Sequence, residues 1–289
     1  MGAAEGQALT RTGRAGYTIA MIHLAGLRLD QDDLEEKQGF PFDVPIVRSL
    51  ESLEFPSEVT FLVGENGSGK STLLEAIAMA TRLPAVGSDR LEADATLEAI
   101  RPLAGYLRLS WQRRTHRGFF MRTEDFFGFS KRLTATRAEY EADLQRVDRE
   151  TEGRSITSRD LARVPYLREL HAMERRYGKD LSARSHGESY FTVFQSRFVP
   201  GGLYMLDEPE APLSPVRQLS FISMMKEMVE QKQAQFIVAT HSPILMAYPG
   251  ATIYSFNEGA IRRVAYDELE HVTVTRDFLN NPEQFLKHL

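Results

Sequence analysis

The chain has 289 residues, 42% of them hydrophobic and 26% charged, with a formal net charge of −5. That length suits one large α/β domain, or one domain with a sizeable insertion, and the charge supplies no global attraction to nucleic acid or to an anionic membrane. There is no cysteine, which excludes disulfides, thiolate metal sites and a cysteine nucleophile and suits a reducing cytosol. No apolar run approaches the ~20 residues that cross a bilayer, and the N-terminus lacks the h-region of a secretory signal. A cytoplasmic protein is the expectation.

In chain order, Met1 to Gly16 is rich in Gly, Ala, Thr and Arg and reads as a disordered tail. Tyr17 to Leu29 alternates apolar and polar and reads as a first strand. Asp30 to Gly39 reads as a surface loop or short helix, and Phe40 to Pro45 as an extended connector punctuated by Pro41 and Pro45. Ile46 to Phe55 leads into the apolar run Val59 to Val63, a buried strand, and Thr72 to Ala80 has helical spacing. Two further strands are predicted at Tyr106 to Trp111 and Gly118 to Arg122. The stretch from about 131 to 184 is charged and poor in β-branched residues, and it carries helical spacing in Ala138 to Arg149 and Tyr166 to Tyr177. It reads as a helical insertion broken near Gly153, its charges forming a solvated surface. Gly201 to Leu206 and Gln235 to Ala239 read as buried strands. Pro215 to Gln233 reads as a helix with Leu219, Ile222, Met225, Met228 and Val229 on its packed face. A late hairpin is predicted from Thr252 to Val264, turning at Asn257 to Gly259.

Between the strand at Val59 and the helix at Thr72 stands Gly64-Glu65-Asn66-Gly67-Ser68-Gly69-Lys70-Ser71-Thr72. It fits the phosphate-loop pattern G-x-x-x-x-G-K-[ST] in full. The three glycines let backbone N–H groups approach phosphate oxygens. Lys70 brings a charge to the β/γ-phosphates, Ser71 offers a hydroxyl to Mg²⁺, and the helix start points its positive end at the anion. ATP and Mg²⁺ are the expected ligands. The cofactor-binding candidates are Gly64, Asn66, Gly67, Ser68, Gly69, Lys70, Ser71 and Thr72, and the metal candidates are Ser71 and Asp207.

Asp207 ends the apolar strand Leu203-Tyr204-Met205-Leu206 and lies 137 residues beyond Lys70. At that position it can hold Mg²⁺ through water, while Glu208 can polarise an attacking water as general base. His241 ends the run Gln235 to Thr240, where an imidazole can hydrogen-bond a γ-phosphate. It would lie at the C-terminal edge of a parallel sheet, the edge where ligands bind in such folds. Ser185-His186-Gly187-Glu188-Ser189 precedes a helix and resembles an anion site, with Ser185, Gly187 and Glu188 as candidates. Glu208, His241 and Lys70 are the catalytic candidates.

Taken in order, these elements resemble the ATP-binding cassette (ABC) ATPases. The phosphate loop is similar to their Walker A, Asp207-Glu208 to their Walker B and His241 to their switch histidine. Ser185 to Ser189 is similar to their signature motif, with His186 where a second glycine is common and Glu188 where a glutamine is common. The phrases VTFLVGENGSGKSTLLEAIA, RSHGES, LDEPEAPLSP and VATHSP resemble stand-alone bacterial AAA-family ATPases, distant relatives of the RecF, Rad50 and overcoming-lysogenization-defect proteins. The resemblance runs from Tyr17 to Leu289 and implies an ABC-type α/β core with a mixed sheet and an inserted helical subdomain. It also implies an ATP hydrolase that closes as a head-to-tail homodimer on two ATP molecules, each between one copy's phosphate loop and the other's Ser185 to Ser189. Ser214 stands where the family's D-loop has aspartate. The glutamine-loop position falls to Gln112 or Glu124, and Phe40 or Phe42 could stack on adenine.

Three roles fit this chemistry: an ATPase driving or regulating an unknown protein partner, the nucleotide-binding subunit of a transporter, or a DNA-maintenance or phage-defence ATPase beside a nuclease. For the last, Arg113-Arg114-Thr115-His116-Arg117, near Trp111 and Phe119, could contact nucleic-acid phosphates, although an exposed basic loop is the plainer reading.

Overall fold

The computed structural model describes residues 9–10, 18–19, 21–34, 36–86, 97–177, 186–257 and 259–287. The chain divides into two compact units, one formed by Met1–Arg122 with Val199–Leu289 and the other by Thr123–Phe198.

The first unit opens with β1 (Leu9–Thr10) and β2 (Thr18–Ile19), which pair antiparallel. The long first strand expected from Tyr17 is thus two pieces, β2 and β3 (Leu24–Leu29). A single proline-started turn of helix, α1 (Pro45–Ser49), stands where a lead-in to the phosphate-loop strand was expected, and β4 (Ser52–Glu54) follows it. Next come β5 (Val59–Val63), α2 (Lys70–Thr81), α3 (Arg101–Tyr106), β6 (Leu107–Trp111) and β7 (Gly118–Arg122). The second unit holds α4 (Thr123–Glu150), α5 (Ile156–Tyr177) and α6 (His186–Arg197). The chain then completes the first unit with β8 (Leu203–Asp207), α7 (Pro215–Lys232), β9 (Gln235–Ala239) and α8 (Pro243–Met246). Last come β10 (Thr252–Ser255), β11 (Arg262–Arg263), α9 (Glu270–Asn280) and α10 (Pro282–Leu286).

Six strands form one sheet in the order β11-β10-β5-β9-β8-β7. All are parallel except β11, which closes the late hairpin antiparallel to β10. Every residue of β5, β8 and β9 is buried, and this explains why their sequences are continuous apolar runs rather than alternating ones. Leu73, Leu74, Ile77 and Ala78 of α2 share one core with Phe120, Met205, Ile237 and Ala239. A smaller antiparallel sheet has the order β4-β3-β6. Gln235 ties the two sheets together: its Oε1 accepts from the backbone N–H groups of His23 (2.9 Å) and Leu24 (2.8 Å), and its Nε2 donates to the Leu24 carbonyl (2.9 Å).

Helix α7 corrects the predicted face. It buries Phe221, Met224, Met225 and Met228, whereas Leu219 is exposed. The sequence reading gave one face; an overlapping stripe through Phe221, Met224, Met225 and Met228 is the one that packing buries.

In the second unit, α4 and α5 pack on each other around a turn in which Gly153 has a φ of 84°. Beside that turn Asp148 of α4 pairs with Arg159 (3.3 Å) and Arg163 (3.4 Å) of α5. Buried apolar side chains of this unit include Phe126, Val147, Tyr177 and Phe194, with Phe129 edge-on to Tyr177 at 5.9 Å. Helix α4 extends back to Thr123, eight residues before the charged stretch that the sequence marks out.

Candidate active site at one edge of the parallel sheet

Strand β9 lies between β5 and β8, with Leu62 beside Ala239 and Ala239 beside Asp207. The loops after these three strands therefore begin side by side, and they carry the phosphate-loop residues, Glu208 and His241. Gly67 (φ 80°) and Gly69 (φ 95°) have left-handed backbones that favour glycine. At Gly69 a Cβ would also lie 2.6 Å from Cγ1 of Ile46 and 2.8 Å from Cγ1 of Val44. The α1 segment thus packs directly on the loop.

Lys70, only 4% exposed, begins α2. Its ammonium donates to the carbonyls of Gly64 and Glu65, each at 2.8 Å. Burial lowers its pKa, and the nearby carboxylates of Asp207, Glu208 and Glu210 oppose that effect. The Ser71 hydroxyl donates to Oδ1 of Asp207 at 3.1 Å. Burial pushes the Asp207 carboxyl up to about 6, with the Ser71 hydrogen bond acting in the other direction. A buried carboxylate that is costly to ionise, next to a hydroxyl, suits a hard divalent cation completed by water and phosphate oxygens. No cluster of three or more His, Cys, Asp or Glu that could hold a metal occurs among the described residues. Mg²⁺ also does not need one, because it is commonly held by one or two carboxylates together with substrate phosphates.

Glu208 follows β8 in a left-handed conformation (φ 50°), its N–H donating to the Ala239 carbonyl at 2.9 Å. Such a backbone costs a non-glycine residue about 1–2 kcal/mol, and strain of this kind collects at functional sites. Oε1 of Glu208 lies 3.7 Å from Nε2 of His241. That Nε2 is buried without a hydrogen-bond partner among the described residues. Burial, followed by the charge of Lys70, lowers the His241 pKa and so favours the neutral ring.

Asn66, Gly67 and Ser68 line a cavity of 420 Å³ together with Pro45, Phe256, Asn257 and Glu270. Its size falls within the usual range for small-ligand sites, about 300–1,000 Å³. Thr72 follows Ser71 on α2 and is half-buried. Ser185 lies outside the described residues, while Gly187 and Glu188 are in the first turn of α6 in the second unit. Gln112 follows β6 of the smaller sheet and donates its N–H to the His23 carbonyl at 2.9 Å. The strand that ends opposite Asp207 is β7, and Glu124 follows it at the start of α4. Phe42 is buried against Tyr106, with rings edge-on at 5.9 Å, and Phe40 is 58% exposed. Phe119 is buried edge-on to Tyr204. It gives the basic loop after β6 no exposed aromatic, and Arg117 of that loop donates to the Pro200 carbonyl.

Two residues at this edge were missed by sequence reasoning. Glu210 accepts the His241 N–H at 2.7 Å; its signal was the third carboxylate in Asp207-Glu208-Pro209-Glu210. His271, the second residue of α9, places Nε2 3.2 Å from Nδ1 of His241. Thirty residues of chain separate the two rings, and no local pattern announces the contact.

Residues 59–188 match a family model described as "AAA domain, putative AbiEii toxin, Type IV TA system". The match begins at β5, contains the whole phosphate loop and ends in α6. Fold and loop together define the class: an α/β P-loop domain, similar over those residues to the AAA-domain family. Similar solved structures include the Smc head domain with an extended coiled coil bound to the C-terminal domain of ScpA, from Pyrococcus furiosus (15% identity, 89% of this chain and 100% of that one, TM-score 0.43). The SMC head domain from Thermotoga maritima is another (18%, 84% and 100%, TM-score 0.41). A third is cbiO1 from Clostridium perfringens, part of the ABC transporter complex cbiONQ (15%, 93% and 100%, TM-score 0.44). No curated protein matches the chain at a significant level.

Proposed function

We propose that this protein is a Mg²⁺-dependent ATP hydrolase that closes as a head-to-tail homodimer to drive or regulate a protein partner. The observation that carries the reading is the convergence of Lys70, the Ser71–Asp207 pair, Glu208 and His241 on the adjacent ends of β5, β8 and β9. In this reading the amides of Gly64 to Ser71 and the Lys70 ammonium bind the phosphates, and Lys70 exchanges its two carbonyl partners for phosphate oxygens. Ser71 and Asp207 would hold Mg²⁺, which would supply positive charge to the phosphates. Glu208, with its half-exposed side chain, would take a proton from the attacking water, and His241 would donate to the γ-phosphate. Ser185, Gly187 and Glu188 would complete the site of a second copy, as the order of motifs in cassette ATPases implies.

The family description, a putative toxin of a type IV toxin–antitoxin system, favours a second reading for the biological setting, a toxin–antitoxin system. The chemistry of the site is the same in both. The deciding experiment is the molar mass of Glu208→Gln in solution with and without Mg²⁺-ATP. Loss of the base lowers turnover by roughly 10²–10⁴-fold and traps the closed state, so an ATP-dependent shift from monomer to dimer is expected. A mass indifferent to ATP despite tight nucleotide binding rejects the closing dimer.

A further inference from the structure

The contact between His241 and His271 has no part in the reading above. His271 belongs to α9, and its neighbour Glu270 lines the cavity beside the phosphate loop. The two rings are 5.3 Å apart, and Nδ1 of His241 lies 3.2 Å from Nε2 of His271. At that distance the two nitrogens share one hydrogen, and either ring can supply it. Which ring does so decides what the far side of His241 can offer.

A neutral imidazole carries one N–H. If His241 donated from Nδ1, its Nε2 would present a lone pair 3.7 Å from the Glu208 carboxylate, acceptor against acceptor. If His271 donates, His241 carries its hydrogen on Nε2 and points it at the carboxylate. That nitrogen is buried with no other partner among the described residues. The backbone of His241 is held separately, through its N–H to Glu210, so His271 governs the hydrogen on the ring rather than the position of the loop.

We propose that His271 is a positioning residue which donates its Nε2 hydrogen to Nδ1 of His241 and so holds His241 in the Nε2–H tautomer, the form able to donate to a γ-phosphate. The proposal rests on the ATPase reading for its consequence, but the tautomer itself is a property of the nucleotide-free protein. Because His271 begins α9, the hydrogen bond also ties the state of the switch ring to the helix that follows.

Two measurements test it. The first is a long-range ¹H–¹⁵N spectrum of the imidazole nitrogens in the nucleotide-free protein. The chain has 7 histidines, and the two rings are assigned from the signals lost in His241→Gln and His271→Leu. The expected wild-type pattern is a protonated Nε2 and a hydrogen-bonded, unprotonated Nδ1 at His241. The Nδ1 shift should move to that of a free acceptor in His271→Leu and be retained in His271→Gln, whose side-chain amide can donate from nearly the same place. The second is steady-state ATP turnover with nucleotide affinity measured in parallel. His271→Leu should lower kcat about tenfold, the worth of one hydrogen bond, with affinity within about twofold, and His271→Gln should recover most of the loss. Leucine fills the space but cannot donate, so rescue by Gln separates donation from packing. A wild-type His241 protonated at Nδ1, or a His241 spectrum unchanged in His271→Leu, overturns the proposal. So does a kcat unmoved by His271→Leu in a protein that hydrolyses ATP. If the wild type binds ATP without turning it over, the ATPase reading fails, and the ring spectra alone decide the role of His271.

Discussion

The sheet edge and the helical hairpin are built on opposite terms. β5, β8 and β9 are buried along their whole length, and the residues that follow them are held by neighbouring strands and buried hydrogen bonds. The α4–α5 pair exposes Ile156, Leu161 and Val164 and carries half-exposed charged contacts such as Asp148 with Arg159 and Arg163. A side chain at the sheet edge inherits its position from a rigid scaffold, as the proposed ATP chemistry would require. The pairs of Asp148 with Arg159 and Arg163 are half-exposed, so each contributes little.

Core substitutions should show the largest difference. Met205, fully buried in β8, should lose about 2–5 kcal/mol on change to Ala. Leu161, 67% exposed on α5, should lose less than about 0.5 kcal/mol. Urea titrations of the two variants check this, and comparable losses would erase the contrast.

The next effect is in binding. Lys70→Ala removes charge-assisted hydrogen bonds worth about 1.5–3 kcal/mol, so ATP affinity by calorimetry should fall by about 10- to 100-fold or more. Unchanged affinity would mean that the carbonyls of Gly64 and Glu65 keep the ammonium from the ligand.

Asp207 tests the cost of that rigidity. Its carboxyl is raised by burial from 3.8 to about 6, so the folded protein holds this proton more tightly than the unfolded chain does. The stabilising contribution is full below about pH 4 and is lost as pH rises through about 6. At pH 7.5 the ionised group costs up to about 3 kcal/mol, and the raised Glu210 acts in the same direction. Asp207→Asn should therefore melt a few degrees higher than wild type at pH 7.5 without nucleotide, with the gap closing at pH 4. It should also lose the extra stabilisation that Mg²⁺-ATP gives the wild type. A variant less stable at pH 7.5 would contradict the assignment of burial as the cause.

The smallest effect is expected in the hairpin. Asp148→Asn breaks two half-exposed ion pairs and should cost about 0.2–1 kcal/mol, a loss reduced by added salt and accompanied by no change in ATP affinity. A loss of several kcal/mol would show that the hairpin is held as tightly as the sheet.

Continuous apolar runs of five residues, each ending in glycines, carboxylates or histidine, by themselves determined the parallel strands β5, β8 and β9 and the candidate residues at their ends. A strand buried on both faces has no polar alternation to blur it, and a phosphate loop needs its glycines and lysine at fixed spacing. The long charged helices and the late hairpin were legible for the same reason, as period and turn residues are local. Tertiary structure alone decided the rest. It split the first strand into β2 and β3, and it turned α7 so that Phe221 and Met224 are buried while Leu219 is exposed. It buried Phe119, which the sequence had placed beside a basic loop. It also set Glu210 on the backbone and His271 on the ring of His241, and Gln235 between two sheets. Each of these is a contact between residues distant in the chain or a choice between near-equal local options, and burial across the whole fold, not sequence spacing, settles it.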